Sequence, residues 1–427
     1  MFTKKTIKDI DLNGKTVLLR ADYNVPLENG KITDDYRIKQ SLPTIQYLLE
    51  KDVKLIICSH LGRPDGKPNA SESLFPVAKR LQELLGKEVE FVADCIGDRV
   101  TKVARAMKPG QVVLLENLRF HAQEEQNDSV FAKQLAGSAQ IFVQDGFGVV
   151  HRAHASTSAI TKFLPSVAGL LLEKEVDTIT SVMQNPKRPL MAIIGGAKIA
   201  DKIDILHKFI DIADFVAIGG AMANTFLAAE GVDISKSVYE QTDVPVAKDL
   251  IQKARSKAKN RPFVFALPHD ATVAHKVDKT APTRIVDWTA HVVAEVESYP
   301  KRPSVFSSRL EDDEMILDIG PFSASFIAGG LQLAGTVIWN GTMGVTETPN
   351  LHGPVGPTAH GTELITEAIT GEFGNRPYSL VGGGDTVGYI ESRGLMNAFD
   401  HVSTGGGASL ELMAGHKLPG VEALEDK

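Results

Sequence analysis

The chain has 427 residues, enough for two or three domains at about 100–200 residues each. Apolar residues make up 43% and charged residues 23%, which excludes a disordered chain, a disulfide-rich mini-protein and a collagen-like repeat. A net charge of −7, from 46 Lys and Arg against 53 Asp and Glu, leaves no bulk attraction to nucleic acid or anionic lipid, so neither is an expected partner. The segment Met1–Leu12 lacks the apolar core of a signal peptide, and no stretch approaches the length of a membrane span. Cys58 and Cys95 belong to no CxxC pair, which favours a reduced, cytoplasmic setting.

In chain order, Thr16–Leu19 predicts the first strand. Arg20-Ala21-Asp22-Tyr23-Asn24 follows it and sets Arg20, Asp22 and Asn24 on one side of an extended segment. Arg37 falls on the next predicted helix. Lys54–Cys58 predicts a strand that ends in His60-Leu61-Gly62-Arg63-Pro64, and Val112–Leu115 one that ends in Glu116-Asn117-Leu118-Arg119. Gln140–Val143 leads into Asp145-Gly146-Phe147-Gly148 and then His151-Arg152-Ala153-His154. Arginine and histidine gathered at strand ends suit a small, multiply charged anion, with Asp22 and Asn24 available for hydroxyls. A zinc site on His60, His151 and His154 is the poorer alternative, since arginine interleaves them and no cysteine joins them.

Leu170 to Met183 reads as an amphipathic helix stopped by Asn185-Pro186, and a single helix between two domains suits a hinge. The expected organisation is 1–170, a hinge helix 171–185, and 186–407. Beyond it, Leu190–Ile194, Phe215–Ile218, Pro262–Ala266, Val337–Trp339, Tyr378–Val381 and His401–Ser403 predict further strands. Continuous apolar strands interleaved with helices imply parallel sheets covered on both faces, so the fold class is α/β with two doubly wound sheets.

The turns of this second half are rich in glycine: Gly195-Gly196-Ala197-Lys198, Gly219-Gly220-Ala221, Gly382-Gly383-Gly384-Asp385-Thr386 and Gly405-Gly406-Gly407. Glycine lets a backbone approach an anion, and the helix start that follows offers free N–H groups, so these turns predict a nucleotide-phosphate site. Lys198 and Lys202 are four apart, so if a helix starts by Lys198 both share one side of its first turn, where a lysine is unfavourable without an anion. Asp385 and Thr386 form a hard-oxygen pair suited to Mg²⁺, although a helix N-cap explains Asp385 as well. A Walker A loop and a dinucleotide fingerprint are both absent.

RADYNVP (20–26), HLGRP (60–64), LLENLRF (114–120), HRAHAST (151–157), GGAKIADK (195–202), GGAMANTF (219–226), WNGTMGV (339–345), GGGDT (382–386) and STGGGASLE (403–411) together resemble the phosphoglycerate kinase family over nearly the whole chain. The resemblance implies two Rossmann-like domains, phosphoglycerate on the first and nucleotide on the second, with 408–427 returning to the first domain. It implies phosphoryl transfer between 1,3-bisphosphoglycerate and ADP, giving 3-phosphoglycerate and Mg·ATP, in a cytoplasmic monomer. Matched positions make Asp22, Asn24, Arg37, His60, Leu61, Gly62, Arg63, Arg119, Arg152 and His154 substrate residues. Lys198, Lys202, Gly219, Asn340, Glu347, Gly383, Gly384, Asp385 and Thr386 become nucleotide residues, with Asp385 meeting Mg²⁺ and Arg37, Lys198 and Lys202 catalytic. Phe322, Thr342, Thr346, Gly146, Val149-Val150 and His269 depart from the expected pattern. The rival readings are a catalytically silent nucleotide- and anion-binding protein on the same fold, and a glycosyltransferase.

Overall fold

A computed structural model describes residues 2–278, 280–288, 306–307, 309–347 and 356–427. They divide into two compact units, Met1–Ser181 with Thr404–Lys427, and Val182–Ser403. The break falls near the end of the predicted hinge helix, observed as Leu170–Gln184.

The first unit is built on a six-stranded sheet in the order Val89–Val92, Val112–Leu115, Lys54–Cys58, Thr16–Arg20, Ile141–Gln144 and Ser166–Ala168, with every pair parallel. Successive side chains of a strand take opposite faces. Val17, Leu19, Leu55, Ile57 and Leu114 accordingly enter one core, while Leu18, Ile56, Val113, Leu115 and Phe142 enter the other. Two strands of this sheet are not predicted from sequence. Val89–Val92 is an edge strand with Glu90 exposed, and Ser166–Ala168 has only three residues.

The C-terminal segment is part of this unit. The Lys5 N–H donates to Glu425 O at 2.8 Å, that of Glu425 to Ser166 O at 3.0 Å, and that of Lys427 to Thr3 O at 3.0 Å. Leu418, Val421 and Leu424 are buried there. The Gly405–Gly407 turn, expected to serve the nucleotide half, also lies in the first unit. A Cβ on Gly405 would stand 2.6 Å from the Phe147 ring, so this glycine is explained by close packing.

The second unit has its own parallel sheet, ordered Val264–Ala266, Phe215–Ile218, Leu190–Ile194, Thr336–Asn340, Tyr378–Gly382 and His401–Val402. It also carries a four-stranded mixed sheet, Phe306–Ser307, Arg284–Asp287, Asp270–Ala274 and Met315–Ile319, that the sequence reading did not contain. In each large sheet the chain starts at an inner strand, builds outward on one side and returns on the other. Strand order therefore reverses between Arg20 and Gln144 in the first, and between Ile194 and Asn340 in the second. Ligands of doubly wound sheets bind at such reversals, outside the carboxyl ends. Among the described residues, no helix is long and apolar enough to cross a membrane.

Candidate active site

The first unit gathers its basic residues around the end of the strand Thr16–Arg20. Arg20 is fully buried; its Nε donates to Ser156 Oγ at 2.8 Å and its Nη2 lies 3.2 Å from His60 Nδ1. Arg37 Nη1 donates to Asp22 Oδ2 at 3.2 Å and to Asn24 O at 3.1 Å. Burial alone would raise the Asp22 carboxyl, but Arg37, His60 and Arg20 outweigh it and hold it down at about 2. Asp22 is thus ionised at neutral pH. The Asn24 side-chain oxygen accepts the Gly62 N–H at 2.9 Å. Gly148 is required here, because a Cβ on it would collide with the Asp22 carboxylate.

His60, Leu61 and Gly62 form one wall. Burial keeps His60 well below its ordinary range despite the nearby Asp22 carboxylate. Asn117, quoted in a motif but given no role from sequence, stitches this wall together. Its Oδ1 accepts from Leu61 N at 3.2 Å and Arg119 N at 3.0 Å, and its Nδ2 donates to Leu61 O at 2.7 Å. Arg119 Nη1 donates to Gly62 O at 2.7 Å. Arg152 Nε donates to His151 Nε2 at 3.2 Å, and His154 is brought down to about 4 by burial and by Arg119, Arg20 and Arg152. Arg63 is exposed, and Glu72 holds its backbone N–H at 2.8 Å. The three histidines do not converge as metal ligands; His60 faces Arg20 and His151 faces Arg152.

A fully buried carboxylate underlies this pocket. Glu124 accepts the Ser156 hydroxyl at 2.6 Å and its N–H at 3.0 Å, and lies 3.9 Å from His154 Nδ1. Burial pushes its carboxyl up, against the pull of Arg20 and Ser156. In the sequence Glu124 sits in Gln123-Glu124-Glu125-Gln126, a run that reads as solvated surface and carries no local signal of burial.

In the second unit the glycines interlock. A Cβ on Gly195 would collide with Thr342 O, one on Gly341 with the Gly195 carbonyl, and one on Gly220 would lie 2.6 Å from Gly196 N. Gly219 differs in packing against a side chain, the Met343 thioether. Three turns therefore meet through bare backbone. Lys202 fastens them, its Nζ donating to Gly195 O at 2.6 Å and Asn340 O at 3.1 Å. Burial lowers the Lys202 ammonium to about 8, with Asp385 and Asp201 opposing.

The expected helix at Lys198 begins later. A 3₁₀ turn covers Ala200–Lys202 and the α-helix runs over Ile203–Ile212, so Lys198 precedes both, exposed, and shares no helical face with Lys202. Hydrogen bonding from Lys202 to two carbonyls favours a lysine that caps backbone over one that follows helical spacing.

Gly383, at φ 93°, precedes the helix Gly384–Ser392, and Gly384 and Asp385 are exposed in its first turn. Thr386 is buried, and its hydroxyl accepts the Gly341 N–H at 2.7 Å, so it holds the turn while Asp385 alone faces outward. Asn340 is buried with its Nδ2 unpartnered beside Gly383. Glu347 is exposed. Beside the interlocked turns lies an apolar cavity of about 250 Å³ lined by Gly220, Ala223, Leu227, Ala271, Leu317 and Met343, reaching Gly196 and Asp385.

The family model described as phosphoglycerate kinase matches residues 7–416. The chain belongs to the phosphoglycerate kinase family. It is 46% identical to the phosphoglycerate kinase of Moorella thermoacetica over 99% of this chain and 100% of that one. It is likewise 46% identical to that of Trichodesmium erythraeum over the full length of both. Among solved structures, phosphoglycerate kinase from Pyrococcus horikoshii superposes with a TM-score of 0.81 at 30% identity, covering 99% of this chain and 98% of that one. The Coxiella burnetii structure gives 0.79 at 35%, covering 98% of each. Membership in the phosphoglycerate kinase family makes the chain a glycolytic phosphotransferase that uses a nucleotide, and supports neither the silent binding protein nor the glycosyltransferase.

Proposed function

We propose that the chain catalyses reversible phosphoryl transfer between 1,3-bisphosphoglycerate with ADP and 3-phosphoglycerate with ATP. Phosphoglycerate is held by Asp22, Asn24, Arg37, His60, Leu61, Gly62, Arg63, Arg119, Arg152 and His154. The nucleotide is held by Lys198, Lys202, Gly219, Asn340, Glu347, Gly383, Gly384, Asp385 and Thr386. The observation that carries this division is the ionised Asp22 set among Arg20, Arg37 and His60 in one unit, against an apolar cavity ending at open helix N–H groups in the other. A small polar anion suits the first, and a flat base with a phosphate tail suits the second.

No covalent nucleophile is needed, because phosphoryl transfer calls for in-line positioning and neutralised charge. Arg37 and the exposed Lys198 act on the transferring phosphoryl, and Lys202 on nucleotide phosphates. The residues fit a magnesium ion: the Asp385 carboxylate is exposed in the first turn of its helix, and Lys202 is the cation it acts on. Asp385 would hold Mg²⁺ together with nucleotide oxygens, and the ion would supply charge neutralisation there.

The reacting oxygen and phosphorus must come to about 3–3.5 Å with water excluded. Residues on two units meet that condition by closure, with bending in the helix Leu170–Gln184 and near 391–394. Small-angle scattering should then give a smaller radius of gyration with both ligands than with either one. The buried, unbridged Cys58 and Cys95 support a cytoplasmic setting. The deciding experiment is a coupled assay with 3-phosphoglycerate and Mg·ATP. Turnover that needs both supports the reading, and nucleotide hydrolysis indifferent to 3-phosphoglycerate overturns it.

A further inference from the structure

Among the described residues, two groups of ligand-type side chains lie outside both half-sites, and only one of them includes a sulfur. Asp94 and Cys95 follow the edge strand Val89–Val92, and His121 ends the turn Leu118–Phe120. A carboxylate oxygen of Asp94, the Cys95 sulfur and a ring nitrogen of His121 all lie within 4.8 Å of one another. Asp94 Oδ1 is 2.9 Å from His121 Nε2 and also accepts the Cys95 N–H at 2.7 Å, a local turn that lets adjacent residues address one point. The His121 ring rests against Phe131 with centroids 5.4 Å apart. The Asp94 and His121 side chains are 45% and 28% exposed while Cys95 is buried, so the group opens to solvent on one side and is closed at the thiol.

This donor set has a chemical preference. One sulfur, one imidazole and one carboxylate match a borderline cation such as zinc, whereas magnesium and calcium call for oxygen alone. Tetrahedral zinc, with bonds of about 2.0–2.3 Å, sets its ligands roughly 3.5 Å apart, so only a small contraction of this group is needed.

We propose that Asp94, Cys95 and His121 form a binding site for one zinc-like divalent cation, with water as the fourth ligand. On binding, the Cys95 S–H bond breaks, its proton leaves to solvent, and the sulfur bonds the metal. The Asp94–His121 hydrogen bond gives way to one metal bond from each, with the neutral imidazole carrying its proton on the other nitrogen. Thiolate and carboxylate together balance the charge of the ion.

The test uses the full chain. Zn²⁺ is titrated in competition with a chromogenic chelator, and Co²⁺ is followed by its thiolate charge-transfer absorption. The expected result is one ion per chain with a thiolate band that Cys95→Ser abolishes. His121→Asn, at a side chain 28% exposed, should weaken Zn²⁺ binding roughly tenfold or more, with the circular-dichroism melt confirming that the variant folds. His275→Ala disrupts the other group, the exposed His275, Glu311 and Asp313, and should leave the affinity unchanged. A cobalt complex without the thiolate band, an unchanged affinity in His121→Asn, or a loss in His275→Ala overturns the proposal.

Discussion

In the first unit the anion pocket is made of side chains: Arg20, Arg37, Arg119 and His60 converge, and Asp22 and Glu124 balance them from within. In the second unit the corresponding place, at the reversal of strand order, is made of backbone. Gly195, Gly196, Gly220 and Gly341 meet with no side chain between them, and the helix beginning at Gly384 presents its open end. The difference concerns how positive potential is supplied. Guanidinium groups need buried counter-charges and pockets that orient them, and they pay for it with desolvation. Peptide dipoles carry no titratable charge, but they leave no room for a Cβ. The two sides should therefore fail in different ways when altered.

The largest effect is expected where backbone meets backbone. Gly195→Ala places a methyl group against Thr342 O, and should abolish ADP binding and destabilise the chain by about 3 kcal/mol. Binding of 3-phosphoglycerate by calorimetry should survive at low temperature; equal loss of both ligands would erase the contrast.

Next is Arg37→Ala, which removes a donor to charge in the transition state and should lower kcat roughly 100-fold or more, with ADP affinity unchanged. A kcat within a few-fold of the parent would remove Arg37 from the reacting phosphoryl. Asp385→Ala is smaller: Mg·ADP affinity should fall roughly tenfold while 3-phosphoglycerate affinity holds, read by titration of each ligand. An unchanged Mg·ADP affinity would mean that Asp385 serves the helix end alone.

The smallest expected effect is in pH dependence. Lys202 is a buried ammonium of the backbone-built site, lowered by burial to about 8 against the charge of Asp385. Its ammonium attracts phosphate below that value and loses its proton as pH rises through it. Metal-free ADP should accordingly bind a few-fold more weakly at pH 9 than at pH 7. Lys202→Arg, which stays protonated, should flatten that profile. A profile equally steep in both proteins would place the titration elsewhere.

What was legible beforehand follows from the range of the interactions involved. Lys54–Cys58, Val112–Leu115, Leu190–Ile194 and Phe215–Ile218 are found at the residues read from sequence, because buried parallel strands are continuous apolar runs. Asp270–Ala274 is equally buried, yet its Asp and Thr and its antiparallel partners give no such run. The basic and glycine-rich strand ends were visible because each is local. Glu124 under Arg20, Asn117 joining Leu61 to Arg119, and Lys202 reaching Asn340 were not, since each depends on a partner that only the fold brings near. Spacing would put Lys198 beside Lys202 only in a helix that starts by Lys198; the 3₁₀ turn opens at Ala200 and the α-helix at Ile203, while Lys202 turns back to the Gly195 and Asn340 carbonyls.

The return of Thr404–Lys427 to the first unit bears on how the protein is made. Val182–Ser403 is one uninterrupted stretch, whereas the first unit lacks Glu425, the partner of Lys5 and Ser166, until the rest of the chain has been synthesised. At roughly 5–20 residues per second that wait is on the order of 10 s or more. On the ribosome, the half begun first is the half completed last. In the nascent chain Lys5–Ile7 can already pair with Ala168, but the Ser166 N–H and carbonyl stay unmatched until Glu425 arrives, so that end of the sheet edge is the part open to a chaperone.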